Sequence, residues 1–403
     1  MTLVVRSHPI TREVAVVPLI AIGISGDDPA HRPAGGVATP NTRSAEKGRM
    51  TDPEVDKGPQ KGNSTAENSA SAVRYLSSED LAGLASVGEY VAAVREGYRQ
   101  RGGGAPAEPR TKLTNGDPSG MFTSYTAILP ETGAMGGYMY AAGFGAGDAQ
   151  FVSPLFDADS GYLLAVLDGA SMNPFKTGAA GAVGIDALAR EDATEMGIIG
   201  SGAQARGQLR AAMEVREFET VNVFSPTKEN RESFAAEMNE RYDASVAAVA
   251  SSVAAVEGAD VLITATTASE PVFDGGRLEA GTHVTAMGQY DPGKRELDST
   301  TISRAKYVPD LCGRATAEGD AGSFVGALEE GAIGDDHVHA ELGEIVAGEA
   351  PGRESAGEIT VFDSGGTAIE TVAAAYMLYE KALEDDLGQS LEWFPASEAL
   401  TGE

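Results

Sequence analysis

Apolar residues recur along the chain with two different periods, and the change of period divides it. Leu81, Leu84, Val87, Tyr90, Val91 and Val94 fall at helical spacing, which predicts a helix opening near Leu76. Ser77 or Ser78 is placed to cap it, and Glu79 and Asp80 suit the positive end of the helix dipole. After the Gly- and Pro-rich stretch 102–109, runs at 111–113, 120–129, 136–144 and 149–157 read as strands with hairpin-like punctuation. A helix is predicted over 174–189, with Ala179, Val183 and Ala187 on one side. From Glu195 the rhythm alternates. Strands are predicted at 196–199, 220–224, 261–264, 283–287 and 307–308, and helices between them include 204–215 and 230–241. Such alternation specifies a parallel sheet with helices on both faces. A long Ala-rich helix, 367–387, follows once it ends.

Residues 26–73 carry Gly, Pro, Ser, Asn and charge with almost no apolar periodicity, so they cannot bury enough surface to order themselves. The expectation for 1–73 is a disordered or misassigned extension, with translation starting at Met50, a reading that intact mass tests. The apolar run 14–24 is interrupted by Pro18 and falls short of the roughly 20 residues a bilayer span needs. Arg6 and Arg12 precede it, as in a secretory signal, but no small-x-small cleavage site follows.

Composition narrows the partners. Sixty acidic against 30 basic side chains give a net charge of −30, which repels nucleic acid and anionic membranes. Nine Lys against 21 Arg, with this acid excess, suits a salt-adapted cytoplasmic protein whose self-repulsion is screened. Cys312 is the single cysteine, so no disulfide forms within the chain.

The sharpest chemical signal is Gly200-x-Gly202-x-x-Ala205, between a predicted strand and a predicted helix. Gly200 serves the tight turn, Gly202 admits backbone to a pyrophosphate, and Ala205 allows helix and strand to approach. The helix N-terminus then offers free N–H groups to phosphate. An NAD site usually carries an acid at the tip of the second strand. Here the tip reads Val221-Asn-Val-Phe-Ser-Pro-Thr-Lys228, and Ser225, Thr227 and Lys228, with Arg231 nearby, lean towards a 2′-phosphate and hence NADP. A solvated turn is the alternative.

Arg110 opens a strand run, where a guanidinium can grip a carboxylate bidentately. Lys176 stands near a helix start, where a cation is electrostatically misplaced; an anion such as a substrate carboxylate or cofactor phosphate is expected to compensate it. Tyr290 and Asp291 follow the fourth strand of the alternating region, where a doubly wound sheet binds ligands, and are placed to act as acid or base. A plain Asp-Pro-Gly turn is the other reading. His337 and His339 lack further metal ligands nearby, so no metal is expected. Tyr125, Tyr138, Tyr140 and Phe144 read equally as a pocket lining or as strand core.

Five segments taken together resemble the ornithine cyclodeaminase/μ-crystallin family, which includes archaeal alanine dehydrogenases and imino-acid reductases: GIIGSGAQARGQL (197–209), ADVLITATTASEPVF (259–273), GTHVTAMGQYDPGKRELD (281–298), HAELGEIVAGEAPGR (339–353) and TVFDSGGTAIETVAAAYMLYEKA (360–382). The resemblance covers about 74–390. It implies an α/β homodimer: a doubly wound Rossmann domain over 191–365, beside an α+β substrate and dimerisation domain formed by 74–190 and completed by 366–393. It implies hydride transfer between NAD or NADP and the alpha carbon of a small amino acid or its imine. Arg110 matches the family's carboxylate-binding arginine, Lys176 replaces its second arginine, and Thr177 follows. Cofactor contacts are implied at Gly200, Ser201, Gly202, Ala203, Gln204 and Ala205, at Thr264, Ala265 and Thr266, at Met287 and Gly288, and at Ser364 and Gly365.

Two departures stand out. The family's strand lysine aligns with Met139, leaving Lys112 as a substitute cation, and its catalytic aspartate aligns with Tyr290, one position before Asp291. Three readings follow: an amino-acid dehydrogenase or imine reductase, with Asp291 or Tyr290 handling the proton; an ornithine-type cyclodeaminase using bound NAD; or a non-catalytic nucleotide-dependent binding protein.

Overall fold

The computed structural model describes residues 72–288, 293–315 and 320–394. Met50, the run 14–24, Tyr290 and Asp291 lie outside the described residues. The chain opens with β1 (Ala72–Leu76), α1 (Ser78–Leu81) and α2 (Val87–Gly102). The single helix expected here is two. Ser77 and Asp80 form a capping box on α1, Gly83 turns the chain at φ 73°, and Ser86 with Glu89 caps α2 afresh. Strands β2 (Thr111–Gly116), β3 (Ser119–Leu129), β4 (Ala134–Gly143), β5 (Gln150–Asp157) and β6 (Leu163–Asp168) follow, then α3 (Asn173–Leu188).

The alternating region holds β7 (Glu195–Ile199), α4 (Ala203–Ala212), β8 (Thr220–Phe224), α5 (Lys228–Asn239), β9 (Ser245–Ala248), α6 (Ser252–Val256), β10 (Val261–Thr264), β11 (His283–Met287), α7 (Ser299–Arg304), β12 (Ala305–Pro309), α8 (Gly322–Glu329), α9 (Leu342–Ala347) and β13 (Ile359–Ser364). α10 (Ala368–Glu384) and β14 (Gln389–Glu392) return the chain to its beginning.

Two seven-stranded sheets result. The second runs β12-β13-β11-β10-β7-β8-β9, and every pairing in it is parallel. Its order reverses at β7, so this is a doubly wound Rossmann sheet with a crevice at the carboxyl ends of β7 and β10. Its central strands are apolar on both faces because helices cover both: Val261, Leu262, Ile263, Val284 and Val361 are all buried. The first sheet runs β14-β1-β6-β5-β4-β3-β2 and is antiparallel except where β1 meets β6.

One face of the first sheet is core. Tyr125, Leu129, Tyr138, Tyr140 and Leu155 pack there with Val372 and Leu378 of α10. The other face leaves Leu113, Phe122, Met139 and Val152 exposed in adjoining register. β4 therefore points Met139 outward and Tyr138 and Tyr140 inward, by the two-residue period of a strand. Met139, the position aligned with the family's strand lysine, thus lies on the outer face of the sheet. Phe144 is also exposed, so it is not strand core.

The sheets meet along α3 and α4. A Cβ on Gly178 would collide with the Gly207 carbonyl oxygen, one on Gly207 with the Pro174 carbonyl oxygen, and one on Gly181 with the Gln208 side chain. Bare backbone faces bare backbone, and the Gln208 amide donates to the Thr177 carbonyl at 2.8 Å.

Candidate active site

The carboxyl edge of the parallel sheet gathers the positions assigned to cofactor. After β7, Gly200 takes φ 125° and donates its N–H to the Phe224 carbonyl at 2.8 Å; a Cβ there would strike the Ala265 carbonyl oxygen. Only glycine fits this wedge between the tips of β8 and β10. Gly202 is the N-cap of α4 and brings no side-chain cap, so the first-turn N–H groups are left for a ligand, and Ala205 is buried against the sheet. The buried Gln204 Oε1 has no partner within the protein. An open helix N-terminus behind a glycine wedge fits a dinucleotide's pyrophosphate.

At the β8 tip the Ser201 hydroxyl lies 2.9 Å from the buried Ser225 hydroxyl. Arg231 donates to the Ser225 carbonyl at 2.7 Å, and its guanidinium lies 5.7 Å from the Phe224 ring centroid. Thr227 and Lys228 are exposed, Lys228 reaching Glu232 at 3.5 Å. At the β10 tip, Glu296 accepts the Thr264 hydroxyl at 2.8 Å and the Thr266 N–H at 2.6 Å. Burial pushes its carboxyl from 4.5 up to about 7, outweighing both hydrogen bonds. Ala265 bonds back to Ile199, the Gly288 N–H donates to the Ser364 carbonyl at 2.8 Å, and the buried Ser364 hydroxyl has no protein partner. Met287 is buried beside it.

Arg110 reaches this edge from the other sheet. Its Nη2 donates to the Gly365 carbonyl at 2.8 Å and its Nη1 to the Tyr140 hydroxyl at 3.2 Å. The guanidinium lies 5.2 Å from the Tyr125 ring centroid and 5.9 Å from that of Tyr140. Lys112 pairs in register with the buried Thr123, which in turn faces Tyr140, so it shares the inner face with Arg110. Asp320, ahead of α8, feels the charges of Arg314, Arg110 and Lys112, and burial raises its carboxyl despite them.

Lys176 is in the first turn of α3 and fully buried, and its Nζ meets Glu370 Oε1 at 2.8 Å, 5.1 Å from the Tyr138 ring centroid. The anion expected to compensate this cation is therefore a carboxylate of α10, supplied by the fold rather than by a ligand. Burial raises the Glu370 carboxyl, while Lys176 pulls it back. His337 and His339 each bond a backbone carbonyl, of Ile302 and Pro351.

Residue types alone do not point to Glu296, Asp310, Arg314, Asp363 or Glu370. Glu370 left one trace, as the single acid in the otherwise apolar run Ala368-Ile-Glu-Thr-Val-Ala-Ala-Ala375.

The model of the ornithine cyclodeaminase/mu-crystallin family matches residues 74–386. The chain belongs to this family. A Delta(1)-pyrroline-2-carboxylate reductase of Bacillus cereus is 37% identical over 239 residues, which is 59% of this chain and 73% of that protein. The structure of a Thermococcus litoralis Delta(1)-pyrroline-2-carboxylate reductase, in complex with NADH and L-proline, is 35% identical with a TM-score of 0.74, over 79% of this chain and 100% of that one. An archaeal alanine dehydrogenase dimer with bound NAD is 32% identical at a TM-score of 0.74, over 80% and 100%. About four-fifths of this chain thus matches each of these two solved structures over the full length of the other.

Proposed function

We propose that the protein is an NAD(P)-dependent oxidoreductase acting at the alpha carbon of a small amino acid or its imine. The observation that supports this is the reach of Arg110 across to the Gly365 carbonyl, which sets a guanidinium, a group suited to grip a carboxylate, at the carboxyl edge of the parallel sheet. The bound dinucleotide supplies or accepts the hydride. Arg110, with Lys112 beside it, grips the substrate carboxylate; the buried Lys176–Glu370 pair supports the Tyr138 ring; and the Tyr125–Tyr138–Tyr140 face excludes water. Tyr290 or Asp291 is our candidate to hand the imine nitrogen its proton.

Within this reading 191–365 binds dinucleotide, and 74–190 with 366–393 binds substrate and dimerises. The cationic, acid-free tip at Ser225 and Arg231 supports a preference for NADP(H). The apolar stripe Leu113, Phe122, Met139 and Val152 supports a homodimer joined through the outer face of the first sheet. Among the described residues no helix is long and apolar enough to cross a membrane, and with the acidic composition we assign the protein to a salty cytoplasm.

The test is absorbance at 340 nm in high salt, with NADH or NADPH offered against pyruvate, glyoxylate, oxaloacetate plus ammonium or methylamine, or a cyclic imino acid. Oxidation that needs the imine, or both keto acid and amine, supports the reading. Silence across the panel, together with ammonia release from ornithine, replaces it by cyclodeamination.

A further inference from the structure

Beneath the Gly365–Gly366 turn lies a charge cluster that the hydride chemistry does not use. Asp310, Asp363 and Arg314 are all buried there. Asp310 spends both oxygens. Oδ2 accepts the N–H of Gly365 at 2.8 Å and of Gly366 at 3.0 Å; Oδ1 accepts the Leu311 N–H and Arg314 Nε, each at 2.8 Å. Arg314 Nη2 also donates to the Asp363 carbonyl at 2.6 Å and to its Oδ1 at 3.1 Å, while the Tyr307 hydroxyl donates to Asp363 Oδ2 at 2.6 Å. The turn lies hard on this cluster: a Cβ on Gly365 would be 2.7 Å from Arg314 Cδ, and Gly366 takes φ 85°.

We propose that Asp310 is a positioning residue for substrate carboxylate, acting on Arg110 through one peptide plane. The N–H of Gly366 and the C=O of Gly365 belong to the same planar, trans peptide, so they point in opposite directions. Asp310 holds the N–H edge and Arg110 holds the C=O edge. Fixing the first fixes the direction of the second, and an anion on the N–H strengthens the carbonyl as an acceptor. The inference rests on the reading that Arg110 grips the substrate's carboxylate.

The test compares wild type with Asp310→Asn on the imino acid active in the panel above and on its carboxamide, with NAD(P)H binding followed by fluorescence. Asparagine must turn its amide N–H groups on two donors whichever way it flips. The expected result is a KM for the imino acid raised at least tenfold, a loss of preference for carboxylate over carboxamide, and a nucleotide affinity and kcat changed less than threefold. Arg314→Lys should act in the same direction more weakly, and serves if the first variant does not fold. Met238→Ala, a core truncation on α5, controls for lost stability: its melting point should fall while its KM holds. A KM for Asp310→Asn no higher than that control's, or an unchanged carboxylate preference, overturns the positioning role alone. A wild type inert to every carboxylate substrate removes the function reading, and the inference with it.

Discussion

Replacing Glu296 by glutamine should make the protein more stable at alkaline pH and leave it nearly unchanged at acid pH. Glu296 is fully buried behind the β10 tip, and its two oxygens accept from Thr264 and Thr266. Burial raises its carboxyl from 4.5 to about 7, so the folded state holds this proton more tightly than the unfolded chain. The group's contribution to stability is therefore complete below pH 4.5 and is lost as pH rises through 7. Ionised in place, it costs about 3 kcal/mol, at 1.36 kcal/mol for each tenfold change in proton affinity. Glutamine keeps both bonds, its carbonyl facing the Thr266 N–H and its amide donating to the Thr264 hydroxyl, and carries no charge to desolvate. At pH 8 the variant should gain up to about 3 kcal/mol, or roughly 6–12 °C in melting temperature at 2–4 °C per kcal/mol. At pH 5 the two proteins should differ by under about 1 kcal/mol. Urea and thermal unfolding between pH 5 and 8, at one salt concentration and without nucleotide, measures this. Parallel pH curves, or a glutamine variant weaker than wild type at pH 8, would refute the reasoning.

Four further outcomes are expected. His283 is buried neutral between Thr285 and Thr360, and burial lowers its ring from 6.5 to about 3. The folded state thus refuses a proton that the unfolded chain takes, stability falls by about 2 kcal/mol between neutral pH and pH 5, and His283→Gln should flatten that acid limb in the same unfolding series. Arg110→Ala should raise KM for the imino acid about 50-fold, the loss of a charge-assisted bond of roughly 2–3 kcal/mol, with little change in nucleotide affinity. Glu370→Gln strands Lys176 in the core and should cost about 3–5 kcal/mol by urea unfolding, most of it recovered when Lys176→Met is added. Ser225→Asp puts an acid at the β8 tip and should move the NADPH-to-NADH ratio of kcat/KM at least tenfold towards NADH.

The alternating half of the fold was legible because a parallel sheet leaves a coarse signal. The strands expected at 220–224, 261–264 and 283–287 are β8, β10 and β11 to the residue. Shorter-range breaks were harder to see: Gly83 and Ser86 divide what six apolar residues suggested was one helix, because a left-handed glycine and a fresh cap outweigh the period. β6 and β13 were not anticipated, since short apolar runs beside helices carry no period of their own. Most opaque were the buried acids. Glu370 lies 194 residues from Lys176, and Asp310 lies 55 from Gly365, so each reads as an ordinary surface acid until the fold brings its partner. Tyr125, Tyr138 and Tyr140 were legible as a group, but which side of β4 faces inward depends on its neighbours' register.

The seam between α3 and α4 bears on how such proteins can be recombined. Gly178 and Gly207 press backbone on backbone, and Gly181 leaves just enough space for Gln208. Neither half should therefore graft onto another member as an independent module, since a single methyl on either side would drive into the backbone of the facing helix, α4 being the helix that opens from the glycine-rich loop after β7. A chimera should cross over away from these helices, or carry both together. By the same logic, a substitution such as Gly178→Ala, on the helix of the substrate half, would first be noticed as a defect in holding nucleotide.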